Sequence, residues 1–192
     1  GSYYFPPILM AFKHRYPGLK VRVEEAGTRE LLSRMVDGSL DLAILITSDL
    51  PPALEGAQLL REEMLMVVGG EHPLRGAGSV SLPQFFNQEL AMFRRGFYHR
   101  EHMEALAQGL GIEPNIGFES NLIPLLKAVV RQGFAVTTFL RMVLEEETAL
   151  CGIPFAPPIF LDLCVAWRRG DPLSMANRAL RDFLLAQAKP EP

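Results

Sequence analysis

"YPGLKVRVEEAGTRELLSRMVDGSLDLAIL", residues 16–45, decides the fold class: it holds a turn, an alternating segment, a polar break, an amphipathic run and a second apolar segment. From Leu19 to Glu25 the apolar Leu19, Val21 and Val23 alternate with Lys20, Arg22 and Glu24, the period of a half-buried strand. Thr28 stands where it can cap the next helix, which puts Leu31, Leu32, Met35 and Val36 on one face and stops at Gly38. Leu40 to Ile46 then reads as a buried strand. Ahead of the stretch, Ile8, Leu9, Phe12 and Tyr16 recur at helical spacing, with Pro6-Pro7 in the first turn and Pro17-Gly18 as the stop. Helix, strand, helix, strand with short joints predicts a parallel sheet with helices packed on its faces.

The alternation restarts after a strand at Leu59 to Val68 and the break Gly69-Gly70-Glu71-His72-Pro73-Leu74. Ser81 to Phe86 reads as a short helix and Leu90 to Phe93 as a strand. His99 to Leu110 reads as a helix with Met103, Leu106 and Leu110 inward. Ile116 to Glu119 is a strand, Asn121 to Gln132 a helix and Phe134 to Thr138 a strand. The strand Ile159 to Trp167 is long enough to leave one lobe and enter another. Ser174 caps a final helix with Ala179, Leu180, Phe183 and Leu184 inward, and the tail Lys189 to Pro192 reads as frayed. The expected architecture is α/β, two Rossmann-like lobes joined by two crossing strands: residues 1–70 plus 166–192, and residues 71–165.

Composition narrows the function. The chain has 192 residues, 48% of them hydrophobic, and a formal charge of −3. That balance argues against direct binding to a phosphate backbone, which depends on clustered Lys and Arg. No apolar run approaches the roughly 18 residues of a membrane span, so no membrane partner is expected and the location reads as cytoplasmic. Cys151 and Cys164 lack metal-ligand or CxxC spacing and read as structural thiols. His14, His72, His99 and His102 read as lying on exposed helical faces or in a turn, and Glu145-Glu146-Glu147 as a solvated helix end. No nucleophile elbow, metalloprotease helix, phosphate loop or dinucleotide fingerprint is present, so no catalytic residue, no metal and no cofactor is expected.

What remains is a set of polar joints. In parallel α/β sheets ligands lie beyond the carboxyl ends of the strands, where helix N-termini offer free N–H groups and the positive end of a dipole. Gly27-Thr28 is one such joint. Arg94-Arg95-Gly96 with Phe97, Ser120-Asn121, and Thr137-Thr138 are the others. A guanidinium there can clamp a carboxylate, and alternation sends one of Arg94 and Arg95 to solvent. Donors outnumber acceptors, so a small carboxylate is the expected ligand, its apolar body covered by Phe97 and Phe139. Glu119 is awkward: it either pairs with an arginine or receives an amino group.

Five stretches carry a family resemblance. "MVDGSLDLAIL" (Met35 to Leu45) resembles the L-x-x-G-x-L-D-L-A-I segment of LysR-type transcriptional regulators, "EHPL" (Glu71 to Leu74) their H-P-L, and "FPPILMAFKHRYPGLKV" their opening L-P-x-L-L-x-x-F-x-x-x-Y-P-x-V. "AVVRQGFAVT" (Ala128 to Thr137) and "LSMANRALRDFLL" (Leu173 to Leu185) are similar to two later motifs, with Ala135 in place of a glycine. The resemblance implies a type 2 periplasmic-binding-protein-like effector domain with its ligand in the cleft between lobes. It further implies pairing as a homodimer, higher assembly in the full-length protein, and DNA binding only through a separate helix-turn-helix that this chain lacks. It implies an L-x-I-G strand ahead of the first helix, which these residues do not contain. It places effector contacts on Ser2, Tyr3, Gly27, Thr28, Arg95, Gly96, Phe97, Ser120, Asn121, Thr137 and Thr138. The rivals are a periplasmic solute-binding protein of the same fold, an enzyme built on the same lobes, and a redox sensor using the two cysteines.

Overall fold

A computed structural model describes residues 5–46 and 49–188; Ser2, Tyr3 and the tail Lys189 to Pro192 lie outside the described residues. The chain divides into two compact units, residues 1–61 with 161–192, and residues 62–160.

In the first unit, α1 (Phe5–Arg15) buries Ile8 and Phe12. Phe12 meets Phe183 of α6 (Met175–Gln187) edge-on at 5.5 Å. The alternating segment does not become a strand. A strand needs a ladder partner, and none of the described residues pairs with 19–27, which leaves Val21 38% and Val23 62% exposed. Its charges are engaged nonetheless, with Glu24 bridging Arg22 and Arg34 at 2.8 and 2.6 Å. Helix α2 (Thr28–Asp37) is capped by the extended Gly27, so Thr28 is its first helical residue and not its cap. Met35 packs with Ala43, Leu45, Leu54, Cys164 and Ala166, while Val36 is half exposed.

The expected parallel pairing is also corrected in this unit. Strand β1 (Ala43–Ile46) runs antiparallel to β6 (Leu150–Arg168), Ala43 facing Ala166. The apolar β1 needs a hydrogen-bonded neighbour, and the strand that supplies one returns from the far end of the chain. On its other side β6 neighbours β2 (Leu54–Gly69). Both β2 and β6 contribute residues to the two units.

Arg168 closes the end of α2. Gly38 ends the helix at φ 86°, and the Arg168 Nη1 group donates to the carbonyls of Met35 (3.2 Å) and Leu40 (2.8 Å) while Nε pairs with Asp171. These carbonyls have no helical donor of their own. Replacing Arg168 with glutamine is expected to lower stability by about 1–2 kcal/mol, read as a shift of the urea midpoint at constant m.

In the second unit, α3 (Leu82–Phe86) opens with a capping box: the Gln84 N–H donates to Ser81 Oγ and the Ser81 N–H to Gln84 Oε1. His72 organises the preceding turn, its Nδ1 accepting from the Leu74 N–H and its Nε2 facing Gln88 Oε1. Strands β3 (Leu90–Met92) and β4 (Ile116–Glu119) pair in parallel. Leu90 bridges Val136 in parallel, and β5 (Thr137–Leu140) runs antiparallel to β2. The spatial order β2, β5, β3, β4 follows. Right-handed crossovers then place α4 (Tyr98–Gly109) and α5 (Ile123–Arg131) on opposite faces, because the chain steps one way from β3 to β4 and back again to β5. The acidic run is not simply solvated: Glu147 pairs with the buried Lys127 at 2.8 Å and with Arg131 at 3.2 Å.

Candidate functional site

The second unit carries most of the predicted residues, and its register brings them to one level. Glu119 faces Met92, and the Ser120 N–H donates to the Met92 carbonyl at 3.1 Å. Two residues past the Leu90 to Val136 bridge stand Met92 and Thr138. Phe93 and Ser120 thus sit at the carboxyl ends of β3 and β4, where α4 and α5 begin, level with Thr138 inside β5.

Individual placements differ from the sequence reading. Thr137 and Thr138 do not lie at a joint. They lie within β5, fully buried, and neither hydroxyl has a hydrogen-bond partner among the described residues. Thr137 shares a strand face with Phe139, and Phe139 meets Phe93, which in turn meets Phe97 and His99 of the α4 region. Thr137 therefore points to the α4 side and Thr138 to the other. Phe139 is only 1% exposed, a core ring and not a ligand cover.

Ser120 and Asn121 do not cap α5. Leu122 is the N-cap residue, and Ser120 Oγ accepts from its N–H at 3.0 Å, which leaves the hydroxyl proton free to donate. Asn121 is exposed. At the β3 to α4 joint, Gly96 turns at φ 98° and Phe97 is the N-cap of α4. Arg94 and Arg95 are both exposed, and Arg95 Nε contacts Glu104 at 3.3 Å. Gly27 and Thr28 belong to the other unit, where Gly27 is buried and the α2 N-terminus has no side-chain cap.

Sequence reasoning missed Arg100. Its side chain is 3% exposed. Nη1 donates to the Phe93 carbonyl at 2.9 Å, Nε to Glu104 at 2.8 Å and Nη2 to Glu119 at 3.3 Å. One guanidinium therefore ties together the end of β3, the first turn of α4 and the end of β4. The one available signal was the Arg100/Glu104 spacing of four. Burial resists ionisation of Glu104, but the hydrogen bonds and charges of Arg100 and Arg95 outweigh it and hold the carboxyl below its ordinary range.

His99 is likewise buried, at 7% exposure, and its Nε2 has no partner among the described residues. Burial, with a smaller contribution from His102, pushes its pKa down to about 3, so the ring is neutral at ordinary pH. The inward face of α4 is His99, Arg100, Met103 and Ala107, while Leu110 is 47% exposed. Cys151 and Cys164 are unpaired and fall in different units, and burial raises the Cys164 thiol pKa, which disfavours the reactive thiolate. Among the described residues no helix is long and apolar enough to cross a membrane.

The chain is 21% identical to an uncharacterized HTH-type transcriptional regulator, YybE, of Bacillus subtilis, over 97% of this chain and 64% of that one. It is 28% identical to a probable nitrogen assimilation transcriptional activator of Synechococcus elongatus, over 70% of this chain and 44% of that one. It thus spans less than two thirds of these regulators' lengths. Among solved structures, the Synechocystis CcmR regulatory domain in complex with 2-PG superposes with a TM-score of 0.89 at 21% identity, covering 98% of this chain and 92% of that one. The effector binding domain of QuiR in complex with shikimate gives 0.83 at 18%, covering 98% and 91%. These likenesses establish a periplasmic-binding-protein-like type 2 fold. The LysR substrate binding domain family model matches residues 1–189, and the chain belongs to that family.

Proposed function

We propose that this chain is the effector-sensing part of a LysR-type transcriptional regulator, and that it takes a small carboxylate at the carboxyl ends of β3, β4 and β5 in the lobe of residues 71–165. The carrying observation is the buried hydroxyl of Thr138, level with Met92 and Ser120 and without a hydrogen-bond partner among the described residues. A buried hydroxyl without a partner costs about 1–3 kcal/mol, and a ligand acceptor at this level relieves that cost. CcmR with 2-PG and QuiR with shikimate support the anionic class. In this reading the domain is not an enzyme. It works as a homodimer in the cytoplasm, and it reaches DNA through a helix-turn-helix carried elsewhere in the full-length protein.

Calorimetry of the chain against panels of small carboxylates, amines and amino acids tests the reading. Thr138→Val retains the shape of the side chain and removes the hydroxyl. It is expected to raise unfolding free energy by about 1 kcal/mol and to weaken carboxylate binding severalfold. Unchanged binding together with unchanged stability removes Thr138 from the site, and selective binding of amines overturns the carboxylate assignment.

A further inference from the structure

Charge at the β3 and β4 ends is balanced. Arg95 and Arg100 face Glu104 and Glu119 in one cluster. Within this cluster an anion gains a guanidinium by taking the place of an internal carboxylate, and Arg94, exposed at the same joint, lies outside it. Arg95 is a poor receiver because its side chain is 78% exposed and already hydrated. Arg100 is buried, where a charge-assisted bond is stronger, and its Nη2 is the group that Glu119 holds.

Of its two carboxylate partners, Glu104 is the harder to move. It sits one turn along the same helix, contacts Arg100 at 2.8 Å, also meets Arg95, and is 30% exposed. Glu119 is 51% exposed and holds Arg100 at 3.3 Å, and the next residue is Ser120, whose hydroxyl proton is free to donate. Building on the proposed anionic effector, we infer that Glu119 is an internal counter-ion that occupies the effector carboxylate's place on Arg100 and is displaced when the effector binds. Glu119 then sets specificity. A neutral ligand has no means of displacing it, and a carboxylate must compete with it, using the hydroxyl of Ser120 for additional hold.

The test is calorimetry and thermal unfolding of the chain at fixed ionic strength, with benzoate, shikimate and inorganic phosphate as anionic probes and benzamide as a neutral one. Glu119→Gln, on a half-exposed side chain, keeps the fold and is expected to bind at least one anionic probe about tenfold more tightly than the parent, with benzamide unchanged. In an Arg100→Lys background the same Glu119→Gln change is expected to give no gain, since the Nη2 group that receives the anion is gone. A tenfold gain that persists in that background, or equal anion affinity in parent and Glu119→Gln, overturns the counter-ion role while leaving the anionic effector in place. If no anionic probe binds parent or variant, the anionic reading fails and the counter-ion role fails with it.

Discussion

Arg100→Ala is expected to lower the stability of the fold by about 3 kcal/mol, seen as a fall in the urea midpoint at constant m. The substitution strips the Phe93 carbonyl of its 2.9 Å donor and leaves Glu104 and Glu119 without their shared cation. It also empties the space of a side chain that is 3% exposed. Breaking a fully buried ion pair costs about 3–5 kcal/mol. The lower end applies because the carboxylates, at 30% and 51% exposure, regain water once released. Arg100→Lys keeps the aliphatic stem and one charge but loses the fork, and is expected to cost about half as much. Glu119→Gln is expected to cost under about 1 kcal/mol, as half-exposed pairs do. An alanine variant within about 1 kcal/mol of the parent would show that the first turn of α4 is held by its apolar contacts alone.

Where a structural feature is set by neighbours in sequence, it was legible. Gly38 as the stop of α2, Ser174 as the cap of α6, and the short helix after Ser81 all follow from local backbone needs, and the structure has each of them. Pairing was not legible, because β1 finds its partner only when Val165 and Ala166 return from the end of the chain. The segment 19–25 shows the reverse case: its alternation is strand-like, yet alternation supplies no partner.

The site was half legible for the same reason. The β3 and β4 joints were located correctly, since a strand followed by a helix exposes N–H groups by construction. Which side chains face inward depends on packing. The inward face of α4 is His99, Arg100, Met103 and Ala107 and not Leu110, so it buries His99, which the sequence places on an exposed face, and Arg100, on which the sequence reading is silent. Phe134, 69% exposed, is not in the strand; β5 begins at Thr137, and this later start draws both threonines inside.

Buried His99 makes the domain acid-sensitive in a window where its carboxylates are silent. An exposed histidine takes its proton near pH 6.5, whereas in the fold burial, reinforced by the charge of His102, holds His99 unprotonated down to about 3. The unfolded chain therefore binds a proton below pH 6.5 that the folded chain refuses. The stability due to His99 is complete above that pH and declines as pH falls, by about 1.4 kcal/mol per unit. Between pH 7 and pH 5 the loss is about 2 kcal/mol, and burial of His102, whose pKa is also lowered, adds in the same direction. Glu104 and Glu147 are held low by their cationic partners and lose that advantage only below the ordinary carboxylate range, so the interval from 6.5 to 5 belongs to the histidines. Urea unfolding at pH 7 and pH 5 measures the loss, and His99→Phe assigns it. The ring at 99 already packs 5.0 Å from Phe93 and its Nε2 bonds nothing among the described residues, so phenylalanine is expected to stay within about 1 kcal/mol of the parent at pH 7. It is then expected to remove about 2 kcal/mol of the acid loss. Equal losses in parent and variant would mean that position 99 protonates freely and is open to water. Because His99 is the second residue of α4 and adjoins Arg100, its forced protonation adds charge at the positive end of the helix. Acid should therefore loosen the Phe97 to Arg100 turn before the rest of the fold, and hydrogen exchange of those amides at pH 5 is expected to quicken in the parent and not in His99→Phe.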